Sequence, residues 1–587
     1  MRIKPVWIAA AAVALALPAL AQQAVQQPSP QPQPSTPAVT QGSPVTSGLT
    51  SEAGGAPDEG AVQEIANLQL LLRPPTPAVE YPSWARRDPW TVGPLSPQQA
   101  GLGDDAWGPV SGAFLSSLMR RMDTPIASRW AHIALRDALL ANAHAPRDVN
   151  PVDWVAERAW LLLRMGEADA ARMLVASVDT DRFTPKMTQV AVQTALASAD
   201  PPALCPIESG IRKYDPGVRA LVQAMCSSLA GEPETAAAQI DDARRHGRVG
   251  GIDLTLAEKV VGAGADTGRA VTVEWEPVDR LTAWRFGLAT ATGIAVPDRL
   301  LANTSLQLRA FQARAPLLTP QQRLNSALIA AGLGVFSSQS LVDLYSAIYD
   351  STDPDDLPST DAWQLRQAFA GKDEAARVAA IRHLLGAGKD PLQKEAMRAL
   401  VARAASLITP NVDLQDDAPE LISAMLAAGY DRAAARWAAT VRRMKDQNAD
   451  RCWAMLALAS PDAARADISN GRITSFIGRD QSKAKLRSAL LVAGLAGLGR
   501  ISTDTANSLN RRYGLGLGRT TSWTRIIDAA AGRGQAGTVL VLAGTGFQTP
   551  SFERLPPAHM YHATAGLERT GRDFTARMIA AEALSRT

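Results

Sequence analysis

The chain has 587 residues, 60 Lys and Arg against 57 Asp and Glu for a net charge of +3, and 46% hydrophobic but only 5% aromatic residues. At about 150 residues per domain it holds roughly four domain-sized units and can bury a large core, so its three cysteines are not needed as a disulfide framework. Near-balanced charge without long single-sign runs excludes a protein built around nucleic acid, and 43 Gly with 39 Pro at ordinary charge content excludes collagen and a wholly unfolded chain.

The first residues give an address. Arg2 and Lys4 form a positive start, Val6 to Leu17 is uninterruptedly apolar, and Pro18 with Ala19-Leu20-Ala21 supplies a break and small residues. This pattern predicts a signal peptide over residues 1–21, cleaved before Gln22. The apolar run is short of the ~20 residues that span a bilayer, and no cysteine near the cleavage point offers a lipid anchor. Later apolar stretches, Ser488 to Gly499 and Thr538 to Gly544, are also too short and contain glycine. The mature chain is therefore expected to be soluble and periplasmic or secreted, with no transmembrane segment.

Residues 22–60 are Gln, Pro, Ser, Thr and Gly with hardly a large apolar side chain, and the Gln-Pro-Ser-Pro-Gln-Pro-Gln-Pro run at 27–34 favours polyproline II. Such a segment cannot offset its ordering entropy and reads as a disordered tether. Residues 61–111 read as one short helix over 61–73, stopped by Pro74-Pro75, and a Pro- and Gly-rich coil holding Trp84, Trp90 and Trp107. Those three rings are expected to dock the coil on the folded body.

From 112 to 587 apolar residues recur at three- and four-residue spacing, as in Trp154, Ala159, Leu162 and Leu163. Asn150-Pro151, Thr184-Pro185, Asp200-Pro201, Thr319-Pro320, Asp390-Pro391 and Ser460-Pro461 each put a capping residue before a proline suited to the first helical position. Glycine is followed five residues later by alanine at Gly166/Ala171, Gly231/Ala236, Gly371/Ala376, Gly429/Ala434 and Gly571/Ala576. The pattern predicts helical hairpins: a left-handed glycine ends one helix, and a small residue lets the next approach it. Their glycines are 65, 140, 58 and 142 residues apart, three of the steps near multiples of a ~34-residue unit. A second string, Ser326-Ala-Leu-Ile-Ala-Ala-Gly-Leu333, returns as Ser488-Ala-Leu-Leu-Val-Ala-Gly-Leu495. The Gly-x-x-x-x-Ala hairpins resemble tetratricopeptide repeats, without that family's regular Trp, Tyr and Pro positions. Through stretches such as 154–175 and 279–293, the chain is also similar to uncharacterised exported alanine-rich proteins of alphaproteobacteria. Some of these carry an antifreeze-like label, but the Ala-Ala-Thr arrays of ice-binding glycopeptides do not occur here. The fold expected is an all-α, tetratricopeptide-like solenoid of helical hairpins.

Sites of chemistry are few. Glu208-Ser209 with Asp215-Pro216 invites comparison with lytic transglycosylases, but seven residues separate Glu208 from Asp215 where that family has about four, and a general-acid Glu needs a cleft that raises its pKa. Gly532-Arg-Gly-Gln-Ala-Gly537 matches the dinucleotide fingerprint in letters but precedes its apolar run, and reads as a helix connection. His559 and His562 could face one metal ion, yet lack a third ligand at a known spacing. The acidic stretch Asp350, Asp353, Asp355, Asp356 and Asp361 reads as a helix cap ahead of Ala362 rather than a calcium loop. No cofactor or metal is assigned.

In a hairpin turning at Tyr214 to Gly217, Cys205 and Cys226 fall level, ten residues before Asp215 and eleven after it. Facing helices bring such positions within disulfide reach, and an exported chain can keep the bond. Cys452, beside Trp453, is expected to be a buried free thiol. The function expected is a non-enzymatic cell-envelope scaffold holding a protein or peptide in a helical groove. A peptidoglycan-acting enzyme with Glu208 as its acid is the alternative.

Overall fold

The computed structural model describes residues 82–587 apart from 104, 123–124, 212–215, 247–248 and 266–271. The expected leader (1–21), tether (22–60) and helix (61–73), and the first half of the turn at 214–217, lie outside the described residues. Among the described residues the chain is all-α, with twenty-eight α-helices, no strand, and one isolated parallel bridge between Leu95 and Ala141.

The opening helices are α1 (Gly112–Arg121), α2 (Arg129–Leu140), α3 (Pro151–Met165), α4 (Ala168–Val175) and α5 (Pro185–Ala197). Asn150 caps α3 through the Val152 and Asp153 amides, and Thr184 caps α5 through the Met187 amide, each just ahead of a proline. Asp200-Pro201 behaves differently. Arg172 Nε binds the Asp200 carboxylate at 2.6 Å, and Pro202 and Pro206 remove amide donors from the following turns. Pro201–Ile207 is therefore a 3-10 helix, leading into α6 (Glu208–Ile211). Pro216 and Gly217, expected in a turn, already belong to α7 (Pro216–Leu229).

The middle of the chain runs through α8 (Pro233–Arg245), α9 (Gly251–Gly264), α10 (Ala283–Ala291), α11 (Asp298–Ala302), α12 (Leu306–Gln312), α13 (Pro320–Leu333) and α14 (Ser338–Ser351). Next come α15 (Asp361–Ala370), α16 (Glu374–Ala387), α17 (Pro391–Ala405), α18 (Ala418–Ala427), α19 (Asp431–Ala435), α20 (Ala438–Val441) and α21 (Asp446–Ala459). Thr319 forms a full capping box on α13, and Asp390 caps α17 through the Gln393 amide. Ser460-Pro461 ends a helix instead of starting one: Ser460 is the C-cap of α21. Proline serves beyond a helix end as well as at a start, and here half-buried Arg500 fixes the choice by donating to the Ala457 and Ser460 carbonyls at 2.5 Å each. Burial pushes the Arg500 pKa down to about 10.

The chain closes with α22 (Asn470–Arg479), α23 (Leu486–Gly497), α24 (Thr503–Tyr513), α25 (Ser522–Gly532), α26 (Ala536–Gly546), α27 (Pro557–Arg569) and α28 (Asp573–Ser585). At four of the five repeated hairpins glycine takes the left-handed conformation, as Gly166 does at φ 91°, with a fully buried alanine five residues on. Gly371 departs from this, at φ −56°, and Asp373 caps α16 through the Ala376 amide at 2.7 Å. The second repeated string lies in α13 and α23, where glycine admits close helix contact: a Cβ on Gly494 would sit 2.8 Å from Leu458 Cδ2 and 3.1 Å from Ala580 Cβ.

Successive helices pack in pairs, such as α3 with α4, α7 with α8, α15 with α16 and α17 with α18. Contacts also join helices far apart in sequence. α2 packs on α26 and α28, α1 on α26, and α28 on α18 and α21. A buried polar lock holds this closure. Glu582 of α28 accepts from the Ser128 hydroxyl (2.6 Å), the Arg129 amide (2.9 Å) and Arg586 Nη1 (2.7 Å). Arg129 donates Nε to the Ala331 carbonyl at 2.9 Å and Nη1 to the Ala427 carbonyl, which ties α13 and α18 to the same point.

Only part of the tryptophan coil docks through its rings. Trp107 is buried edge-to-face against Trp154 at 5.2 Å, and Trp90 stacks on His144 at 5.5 Å, but Trp84 is 86% exposed. Backbone contacts hold the coil instead. Buried Arg158 donates to the carbonyls of Val92 (2.7 Å), Leu139 (3.1 Å) and Ala141 (2.7 Å), and burial lowers its pKa to about 9.

Asp450 makes stability sensitive to acid. Burial opposes its ionisation, but Arg479 (2.7 and 2.8 Å) and Arg472 (2.7 Å) outweigh that and hold its pKa below the ordinary value. A carboxylate with a depressed folded pKa contributes fully above its unfolded value, near pH 4, and loses that contribution as pH falls through the folded one. Asp450→Asn should accordingly flatten the fall of unfolding free energy below about pH 4. Urea titrations across pH check this, and parallel curves for the two proteins would refute it.

Candidate functional site

An apolar groove of about 470 Å³ opens between α3, α5, α10 and α12. That volume lies in the range of ligand pockets, and so does its composition, mostly apolar with a few polar groups. Met122, Leu163, Phe286, Leu308 and Phe311 line it, with Trp160, Arg164, Gln193 and Gln307 also contributing.

Local sequence explains how these side chains meet. On α3, Trp154, Leu161 and Leu162 point into the core, which leaves Trp160 outward at 37% exposure. Gly166 then ends α3 and turns the chain away. On α10, Gly287 lets two helices approach unusually closely, because a Cβ there would lie 2.6 Å from the Leu196 carbonyl oxygen on α5. Its neighbour Phe286 is thereby brought against Phe311 of α12, ring centroids 6.2 Å apart.

Arg164 is the one charged residue of the lining among the described residues. Its Nη1 donates at 3.0 Å to the Arg120 and Met122 carbonyls, and Nη2 to the Met119 carbonyl, so it caps the end of α1 and is fixed in place. The groove can bury an apolar group, while Arg164 is committed to these backbone partners. Gly287→Ala should force α10 off α5, costing about 1–3 kcal/mol and splaying the groove. Denaturant unfolding reads the loss, and wild-type stability in the variant would contradict the close approach.

A second, more open depression of about 590 Å³ lies where residues 87–94 cross the end of α4 beside Met173 and Ala176. It adds no cluster of reactive side chains.

The residues singled out in the sequence are scattered. Glu208 is outside both depressions and pairs with Arg219 Nε at 2.9 Å. His562 Nδ1 lies 2.9 Å from Asp528, while His559 Nδ1 meets the Gly546 carbonyl at 3.0 Å and its ring lies tilted against Trp523 at 4.4 Å. The two histidines thus face separate partners, and no group of three metal-ligating side chains forms among the described residues. In the acidic stretch, Thr360 caps α15 through the Trp363 amide at 3.1 Å. Residues 532–537 connect α25 to α26, and the Gly537 amide donates to the Ala106 carbonyl at 2.9 Å, anchoring the Trp107 coil.

Cys205 and Cys226 are joined by a disulfide with Cα atoms 5.6 Å apart, tying the 3-10 helix to α7. Cys452 is free and buried, and burial pushes its thiol pKa up to about 12. Sequence reasoning missed the groove altogether. Its residues, from Met122 to Phe311, read singly as ordinary core positions, and only the packing of α10 and α12 onto α3 and α5 assembles them.

Among the described residues, fold and site together define an all-α protein with an apolar groove. No protein-family model, curated protein or solved structure matches the chain. No helix among the described residues is long and apolar enough to cross a membrane.

Proposed function

We propose that this chain is an exported scaffold of the cell envelope that holds a partner protein through the groove between α3, α5, α10 and α12, without catalysing a reaction. The groove carries the reading. Its lining offers mostly apolar burial, so the occupant we assign is an amphipathic partner helix that seats its apolar face there. The leader-like pattern at residues 1–21 and the Cys205–Cys226 bond support export. The left-handed glycine hairpins support reading the body as a degenerate tetratricopeptide-like solenoid, drawn together at its ends by α2, α26 and α28.

A photo-crosslinker at position 308 in the living cell tests the assignment. The expected product is one dominant adduct whose captured segment is an amphipathic helix, lost in Phe311→Asp. Clearing of purified sacculi by the wild-type chain, abolished in Glu208→Gln, would overturn the scaffold in favour of a peptidoglycan-cleaving enzyme.

A further inference from the structure

We infer that Arg511, Arg512, Arg519 and Arg525 form a membrane-docking surface that binds the phosphate groups of an anionic lipid bilayer. The surface is separate from the groove, so either assignment can fail without the other.

The chain as a whole is nearly neutral, but this region is not. Residues 503–534 carry five arginines, Arg533 being the fifth, against Asp504 and Asp528. Asp528 is already engaged by His562 at 2.9 Å and Arg569 at 3.2 Å, and Asp504 lies in the first turn of α24, away from Arg511 and Arg512 in its last. All four proposed arginines are exposed, and none forms an ion pair with a carboxylate among the described residues. Elsewhere the protein pairs its arginines freely, as at Arg285–Asp253 and Arg382–Asp417 (both 2.8 Å). These four guanidinium groups are thus unneutralised and stay in water.

The backbone gathers them. The Asn510 side chain accepts from the Leu517 amide at 3.1 Å, folding the 514–518 loop back on the last turn of α24, and Leu515 and Leu517 tuck inward. Arg519 thus follows directly on a loop held against Asn510, the neighbour of Arg511. Arg525 turns its Nη2 toward Ser522 at 3.5 Å, which brings its charge to the loop end of α25. The amides of Gly516, Gly518, Arg519 and Thr520 donate to no acceptor among the described residues, adding oriented donors to the same face.

The chemistry favours a bilayer over a single enclosed anion. Guanidinium groups bind phosphate oxygens bidentately, but these are spread over two helix ends and a loop instead of converging in a pocket. Ile526, 39% exposed beside Arg525, offers an apolar contact for the acyl region, and Arg512 stacks over the Tyr513 ring at 5.1 Å. Clustered arginines next to exposed apolar side chains are the pattern of peripheral binding to anionic lipid.

Co-sedimentation of the full chain with phosphatidylglycerol/phosphatidylcholine vesicles, against pure phosphatidylcholine vesicles, is the test. The wild type should bind the anionic vesicles about tenfold or more tightly, with the difference shrinking as salt rises. The fourfold variant Arg511→Gln, Arg512→Gln, Arg519→Gln, Arg525→Gln should lose that preference while keeping its helical circular dichroism. The corresponding fourfold Arg→Lys variant keeps the charge and should retain most of it. Equal binding to both vesicles, or an unchanged preference in the Gln variant, would overturn the inference. So would release from anionic vesicles by millimolar inorganic phosphate at constant ionic strength, which would mark a site for a soluble anion.

Discussion

Glu582→Ala should cost about 3–5 kcal/mol of unfolding free energy, the loss expected when one member of a buried charged network is removed. The carboxylate is buried and accepts from Ser128, the Arg129 amide and Arg586, which joins the last helix to the start of α2. Without it, Arg586 and the fully buried Arg129 guanidinium lose their nearest countercharge on α28, leaving Glu395 as the other carboxylate acting on both. Two desolvated cations would then face each other with half their compensation gone. Equilibrium urea unfolding gives the loss, and hydrogen exchange should show faster opening of α2 and α28 than of α15 and α16. A loss below about 1 kcal/mol would mean that the apolar contacts of α2 with α26 and α28 hold the closure alone.

Removing the disulfide should be the next largest change. Cys205 and Cys226 are 21 residues apart, and opening a loop of that size costs about 3 kcal/mol in the chain-entropy account. The segment it restrains has little else to stiffen it, being a 3-10 helix interrupted by Pro206 and followed by the single turn of α6. The Cys205→Ser, Cys226→Ser variant should unfold at lower urea, and reductant should shift the wild type but not the variant. Under non-reducing, native conditions no thiol should react with a thiol reagent, and under non-reducing denaturing conditions one should, that of Cys452. Alkylation of Cys205 and Cys226 without prior reduction would contradict this account.

What could be read from the sequence was local. A cap and its proline lie within four residues of the helix they start, so Asn150, Thr184, Thr319 and Asp390 announce α3, α5, α13 and α17. The same local rule fails at Ser460, where proline is equally at home past a helix end and Arg500, forty residues away, settles the matter. It fails at Asp200 because Arg172 takes the side chain meant for capping. The glycine hairpins follow from backbone geometry, and the exception at Gly371 arises because Asp373 provides an ordinary side-chain cap. Trp84 shows that ring count in a coil does not fix docking, since Arg158 holds the coil through its carbonyls. The groove was not legible at all. It depends on Gly287 meeting the backbone of Leu196, ninety-one residues earlier, and a lone glycine inside an alanine-rich helix carries no sign of which helix it will touch.

The groove assignment is tested most directly by measuring the affinity of the crosslinked partner segment for the purified chain by titration calorimetry. The account predicts saturable one-to-one binding, weakened about tenfold or more by Phe311→Asp, since a charge would then occupy the apolar floor. The Arg511, Arg512, Arg519 and Arg525 variant should bind that segment as the wild type does. Equal affinity for the wild type and a correctly folded Phe311→Asp chain would contradict the assignment of this groove as the partner site.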